Sequence, residues 1–306
     1  MSPLRSSAAP RPRLSLVVAV YDMAREAPRT LHSLSTAYQL GVTSDDYEVL
    51  VVENPSQQPL DPRAVGTFGP NFRYLGRSSA DSSPAAAINQ GLAEARGEWL
   101  AVLVDGARLL SPGFVAHALL ATRLAARPVI AVPGFHLGPD LQPVSTLRGY
   151  GTAAEDRLLA SIGWPADGYR LFEISVFAGS SKGGWFQPMA ESNALVVSRS
   201  MADELGGLDE GFRSPGGGLC NLDYYARACA LDGARLVMLL GEGTFHQTHG
   251  GVTTAAGPSR WNELHDEYMA LRGQPFVLPE QPALFLGTPH PSVLDSIAHS
   301  VGLARA

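Results

Sequence analysis

The chain has 306 residues, 45% of them hydrophobic and 17% charged, so it has enough apolar material to bury a core of domain size. Its formal net charge of −6 argues against nucleic acid as a partner, because phosphate backbones require a basic surface. The two cysteines, Cys220 and Cys229, are too few for a disulfide framework and lack the CxxC spacing of a paired-cysteine metal site, so both are expected as reduced thiols.

Residues 1–12 are polar and proline-rich and read as a tail without the apolar core of a signal peptide. Leu14 to Val20 is a continuous apolar run of strand length, the pattern of a strand buried on both faces. A helix is expected through Leu31, Leu34 and Tyr38, ending near Gly41. Tyr47 to Val52 reads as a second buried strand, closed by Asn54-Pro55-Ser56, and Phe72 to Leu75 as a third. Ala85 to Ala95 has high helix propensity up to Gly97, and Trp99 to Val104 is a fourth strand that stops at Asp105. Strands alternating with helices imply a parallel sheet, and in such sheets ligands bind beyond the carboxyl ends of the strands. Those ends carry Tyr21, Glu53 and Asp105.

The second half is less regular. A strand is expected at Val129–Val132, a helix at Ala153–Ile162, a Gly/Ser loop at Ala178–Trp185 and a strand at Ala194–Val197. Helices follow near Met201–Leu205 and Leu219–Leu231, then a strand at Leu236–Leu240 and a helix from Trp261. No apolar run is long enough to span a bilayer, and a soluble, cytoplasmic protein is the expectation.

Asp105 has the chemistry to bind a divalent metal or a ribose hydroxyl, or to cap a turn. The order LSLVVAVYDMA, YEVLVVENPS, AAAINQGLAEARGEWLAVLVDGARLLSPG, then ELGGLDEGF, CNLDYYARA and FHQTHGG, resembles the family 2, GT-A fold glycosyltransferases over roughly residues 14–250. The resemblance implies an α/β fold with a Rossmann-like nucleotide-binding core, a mostly parallel central sheet and an acceptor-side extension. Its expected division is a tail (1–12), a nucleotide-sugar-binding half (13–127), an acceptor-binding half of the same domain (128–256) and a C-terminal helical extension (257–306). Tyr21 and Glu53 would cradle the nucleoside, around which they and Asp105 should converge, with Asn89 at the position of the family's helix asparagine. Asp105 would be the first acid of the Asp-x-Asp motif and a ligand of Mn2+ or Mg2+.

Three positions depart from the family pattern. The second acid of Asp-x-Asp is Ala107, the partner of Glu53 is Asn54, and the Glu-Asp pair of the acceptor helix is Cys220-Asn221. His249, ahead of His246, is the expected further metal ligand or diphosphate contact. Lys182, the only lysine of the chain, is expected to meet the diphosphate from the AGSSKGGW loop, near which Trp185 and Phe186 stack on a sugar or anchor the loop. Glu191 leads as catalytic base, ahead of Asp223 and Asp209; a retaining reaction would need none. Glu155-Asp156 and Asp266-Glu267 read as solvated faces. The expected partners are a nucleoside-diphosphate sugar donor and a saccharide or small-molecule acceptor, with a homodimer permitted. A catalytically inactive nucleotide-sugar-binding protein and a sugar nucleotidyltransferase are the alternatives.

Overall fold

The computed structural model describes residues 11–79, 81–249 and 258–304. The proposed tail therefore lies almost wholly outside the described residues. Eight strands make the main sheet: β1 (Leu14–Val20), β2 (Tyr47–Glu53), β3 (Phe72–Gly76), β4 (Trp99–Leu103), β6 (Pro128–Ala131), β9 (Leu195–Ser198), β10 (Arg235–Leu239) and β12 (Leu284–Leu286), in the order β12-β10-β6-β9-β4-β1-β2-β3. All pairings are parallel except those of β9, which runs antiparallel to both β4 and β6. The remaining four, β5 (Arg108–Leu110), β7 (Gly134–Leu137), β8 (Ser175–Phe177) and β11 (Thr244–His246), form a smaller sheet in the order β5-β11-β7-β8. This is the mixed α/β, GT-A-like fold that the sequence motifs imply.

Successive side chains on β1 alternate between two cores. Val17 and Ala19 face one, with α3 (Ala85–Glu94), α7 (Arg199–Leu205) and α8 (Cys220–Ala230); Leu16 and Val18 face the other, with α1 (Ala27–Ser33) and α4 (Phe114–Ala121). The uninterrupted apolar run of the sequence thus reports a strand covered on both sides. α3 sits close on the sheet because position 91 is glycine: a Cβ there would lie 2.3 Å from Val17 Cγ1 and 3.0 Å from Val52 Cγ2.

The expected first helix is shorter than its pattern. It stops at Ser33, where the hydroxyls of Ser33 and Ser35 bond to the carbonyls of Thr30 and His32 and the Tyr47 hydroxyl takes that of Leu34. Such local side-chain bonds compete with helix continuation. The C-terminal segment, expected as helical, has α9 (Pro258–Arg272) and α10 (Leu294–Ala304) but also supplies β12, which pairs in parallel with β10. The two halves expected at 13–127 and 128–256 share one continuous sheet, because β9 inserts between β4 and β6. No helix among the described residues is long and apolar enough to cross a membrane.

Candidate active site

A cleft of about 1070 Å³ opens at the carboxyl ends of β1 and β4 and is lined by residues of both sheets. Tyr21 stands at its edge, 54% exposed, immediately after β1. Its neighbour Asp22 adopts a left-handed conformation (φ 50°), and that turn is tied to the loop after β2: the Asp22 N–H donates to Ser56 Oγ, and Asp22 Oδ1 accepts from the Gln57 N–H. Asn54 lines the same wall, its Oδ1 accepting from Arg77. Glu53 does not line the cleft. It is buried, and its Oε2 accepts from the Leu60 N–H and the Tyr74 hydroxyl, so the cleft-facing position after β2 belongs to Asn54. Of the three residues expected to converge, Tyr21 and Asp105 share the cleft and Glu53 supports its wall from behind.

Asp105 follows β4, lines the cleft, accepts the Ala107 N–H and pairs with Arg108 at 2.8 Å. Ala107 is fully buried, so a carboxylate there would enter the core rather than the cleft. The small sheet supplies the missing donors. On its strands Arg108, His246 and His136 stand in register, which places all three on one face, and all three line the cleft. His249 follows β11, with its Nε2 3.0 Å from His246 Nε2, and one donor atom each from Asp105, His246 and His249 lies within 4.8 Å of the others. An oxygen and two imidazole nitrogens at this spacing fit a divalent transition cation, and the histidine pair favours Mn2+ over Mg2+, which prefers oxygen ligands.

Burial, Arg108 and the neighbouring histidines hold His246 well below the usual histidine range, while burial and Arg108 hold His136 down to about 4, so both rings are neutral at physiological pH. His246, ranked behind His249 by sequence, is an equal member of the cluster. Glu155 is no solvated residue: it is fully buried, accepts the Thr248 N–H and pairs with Arg25, fixing the loop between the two histidines. Asp156, half exposed, binds Arg25 and Arg29 beside it, and Glu267 accepts the Arg213 and Ser214 N–H groups, whereas Asp266 is exposed as expected.

Across the cleft, Glu191 lines the wall and its Oε2 accepts from Asn221 Nδ2 at 2.5 Å. The asparagine that replaces the family's aspartate therefore holds the candidate base. Asp223 is unsuited to that role: only 1% of its side chain is exposed, and it is locked by Arg227 at 2.7 Å and Arg272 at 2.6 Å, away from the cleft lining. Asp209 pairs with Arg272 and accepts the Gly211 N–H. Lys182 is exposed and outside the cleft lining, which the same loop reaches through Gly179 and Ser180. Asn89 is likewise elsewhere. Its amide bonds both backbone groups of Leu208 and also Glu210, fastening α3 to the turn after α7. Trp185 anchors its loop, buried against Phe135 and Phe177 with Nε1 donating to the Leu239 carbonyl, and Phe186 packs on Phe285. Sequence reasoning missed Arg108, His136, Asn54 and Asn221 as cleft residues; the Arg-Leu-Leu and Gly-Phe-His-Leu segments that carry the first two are too short to announce strands by period.

Residues 15–105 match the family profile "Glycosyl transferase family 2". Among solved structures, TarS of S. aureus superposes with a TM-score of 0.54 at 13% identity, covering 83% of this chain and 38% of that one. Its 1–349 fragment in complex with UDP-GlcNAc gives 0.53 at 13%, covering 84% and 66%. The mannosyltransferase PcManGT of Pyrobaculum calidifontis, in complex with GDP-Man and Mn2+, gives 0.52 at 16%, covering 99% and 73%. The chain thus spans less than two thirds of the TarS structures it resembles, and at these identities the likeness shows the fold. No curated protein matches the sequence significantly.

Proposed function

We propose that this chain, whose residues 15–105 match family 2 of the glycosyl transferases, moves a sugar from a nucleoside-diphosphate sugar to a hydroxyl of a saccharide or small-molecule acceptor. The observation that carries the reading is the Asp105–His246–His249 cluster, set in a cleft at the strand ends that a nucleotide would occupy. Tyr21 offers an aromatic face to the base, and Asn54 a polar contact to the nucleoside. Asp105, His246 and His249 would hold a divalent cation, which when bound neutralises charge developing on the leaving diphosphate. Arg108, released from Asp105, supplies a second positive group on the same face. Glu191, held by Asn221 on the opposite wall, takes the acceptor proton if the reaction inverts. TarS binds UDP-GlcNAc and PcManGT binds GDP-Man with Mn2+ in their solved complexes, which makes these two donors the first to assay. The His246 and His249 nitrogens stand in for the carboxylate that Ala107 lacks, which favours an active enzyme over an inactive binder.

The test is release of UDP or GDP from these donors, with Mn2+ and with EDTA. Slow Mn2+-dependent release, lost in Asp105→Ala, is expected; tight donor binding with no turnover under any cation would instead support the inactive binder.

A further inference from the structure

Gln142, the first residue of α5 (Gln142–Leu147), is buried between the two histidines that stand in register on β7 and β11. Its side-chain amide makes two bonds to a single residue: Nε2 donates to the main-chain carbonyl of His246 at 2.8 Å, and Oε1 lies 2.5 Å from His246 Nδ1. A carbonyl only accepts, so the NH2 end of the amide must face it. The acceptor Oε1 is then left opposite Nδ1, and that nitrogen must carry the proton. In a neutral imidazole this leaves Nε2 as a bare lone pair, and Nε2 is the atom that faces His249. The main-chain N–H of the same Gln142 donates to His136 Nδ1 at 3.0 Å, so there Nδ1 is bare and the proton sits on Nε2.

We propose that Gln142 is a positioning residue that imposes opposite tautomers on neighbouring histidines. His246 is held ready to ligate a cation through Nε2. His136, also on the cleft wall, keeps an Nε2–H with which to donate to an anionic diphosphate oxygen of the donor. With His246 Nε2 bare, the 3.0 Å contact requires His249 Nε2 to be the hydrogen-bond donor; to ligate a cation through Nε2, His249 would have to adopt its Nδ1–H tautomer, with no change in the net charge of either ring. The inference rests on the glycosyltransferase reading for its cation and donor, but the tautomers themselves do not depend on either.

Long-range 1H–15N NMR of the histidine rings in the full chain, free of metal, should show His246 as the Nδ1–H form and His136 as the Nε2–H form. Gln142→Leu removes the side-chain clamp but keeps the backbone N–H. It should leave His136 unchanged, which reports an intact fold, while His246 becomes a tautomer mixture and Mn2+ affinity, read by EPR of free Mn2+, falls about 10–100-fold. Gln142→Glu, which keeps an acceptor for Nδ1–H, should retain the His246 tautomer. An Nε2–H form of His246 in the native chain, or a Leu variant with unaltered His246 signals and Mn2+ affinity, overturns the proposal. Correct tautomers with no Mn2+ binding in the native chain, with or without UDP or GDP, would remove the cation from both readings.

Discussion

The residues that matter most differ in what they are bonded to rather than in type. Glu191 and Asp223 are both carboxylates near α8, yet one faces the cleft with a single amide partner and the other is enclosed by two guanidinium groups. Glu191→Gln preserves an acceptor for Asn221 but cannot take a proton. For an inverting reaction kcat should fall about 10²–10⁴-fold with donor affinity unchanged, as steady-state kinetics and donor titration will show. Unchanged kcat would assign the base elsewhere or the reaction to retention. Asp223→Ala removes the carboxylate shared by Arg272 and Arg227, which are partly exposed and keep Asp209 and main-chain carbonyls as partners, and should cost about 1–3 kcal/mol of stability in denaturant melts. Retained stability would return Asp223 to the list of residues free for chemistry.

Among the elements, the small sheet does what the sequence pattern gives to the strand ends alone. β5, β7 and β11 each contribute one side chain to the row Arg108–His246–His136, and the buried Glu155 fixes the loop that carries His249. On the opposite side of the cleft α8 supplies Asn221, and α3 packs closely on β1 and β2 because position 91 is glycine. Gly91→Ala would place a methyl 2.3 Å from Val17 Cγ1 and should destabilise the fold by about 1–3 kcal/mol, since helix and sheet must separate. A melting temperature equal to that of the parent would mean that α3 shifts without loss.

For the molecule as a whole, buried neutral histidines give stability a pH dependence of definite sign. His136 has its pKa lowered from 6.5 to about 4, so as pH falls below 6.5 the unfolded chain takes up the proton first. Its contribution is fully present above about pH 6.5, declines between 6.5 and 4, and is absent below. His246, lowered in the same direction, adds to the slope, while His117, raised by its bond to Glu242, acts oppositely and stabilises most at low pH. The melting temperature should therefore drop on acidification from pH 7 to 4.5, and His136→Asn should flatten that drop. An unflattened profile would show that His136 titrates normally in the folded state.

The sequence by itself determined which segments become the large sheet's main strands, the α/β class and the cleft at the ends of β1 and β4, because runs such as Leu14–Val20 and abrupt polar ends such as Asp105 are local signals; the order of the strands and the antiparallel β9 came from the tertiary structure. It also placed Tyr21, Asp105, Glu191 and His249 on that cleft through ordered motifs. Only the tertiary structure decided that Glu53, Asn89, Lys182 and Asp223 lie outside the cleft lining, and that Asn54, Arg108, His136 and His246 stand in it. The physical reason is that a side chain's duty is set by the partners it meets across the chain. The Tyr74 hydroxyl meets Glu53, the Leu208 backbone meets Asn89, and Arg272 meets Asp223, each pair joined over a separation that no local pattern encodes.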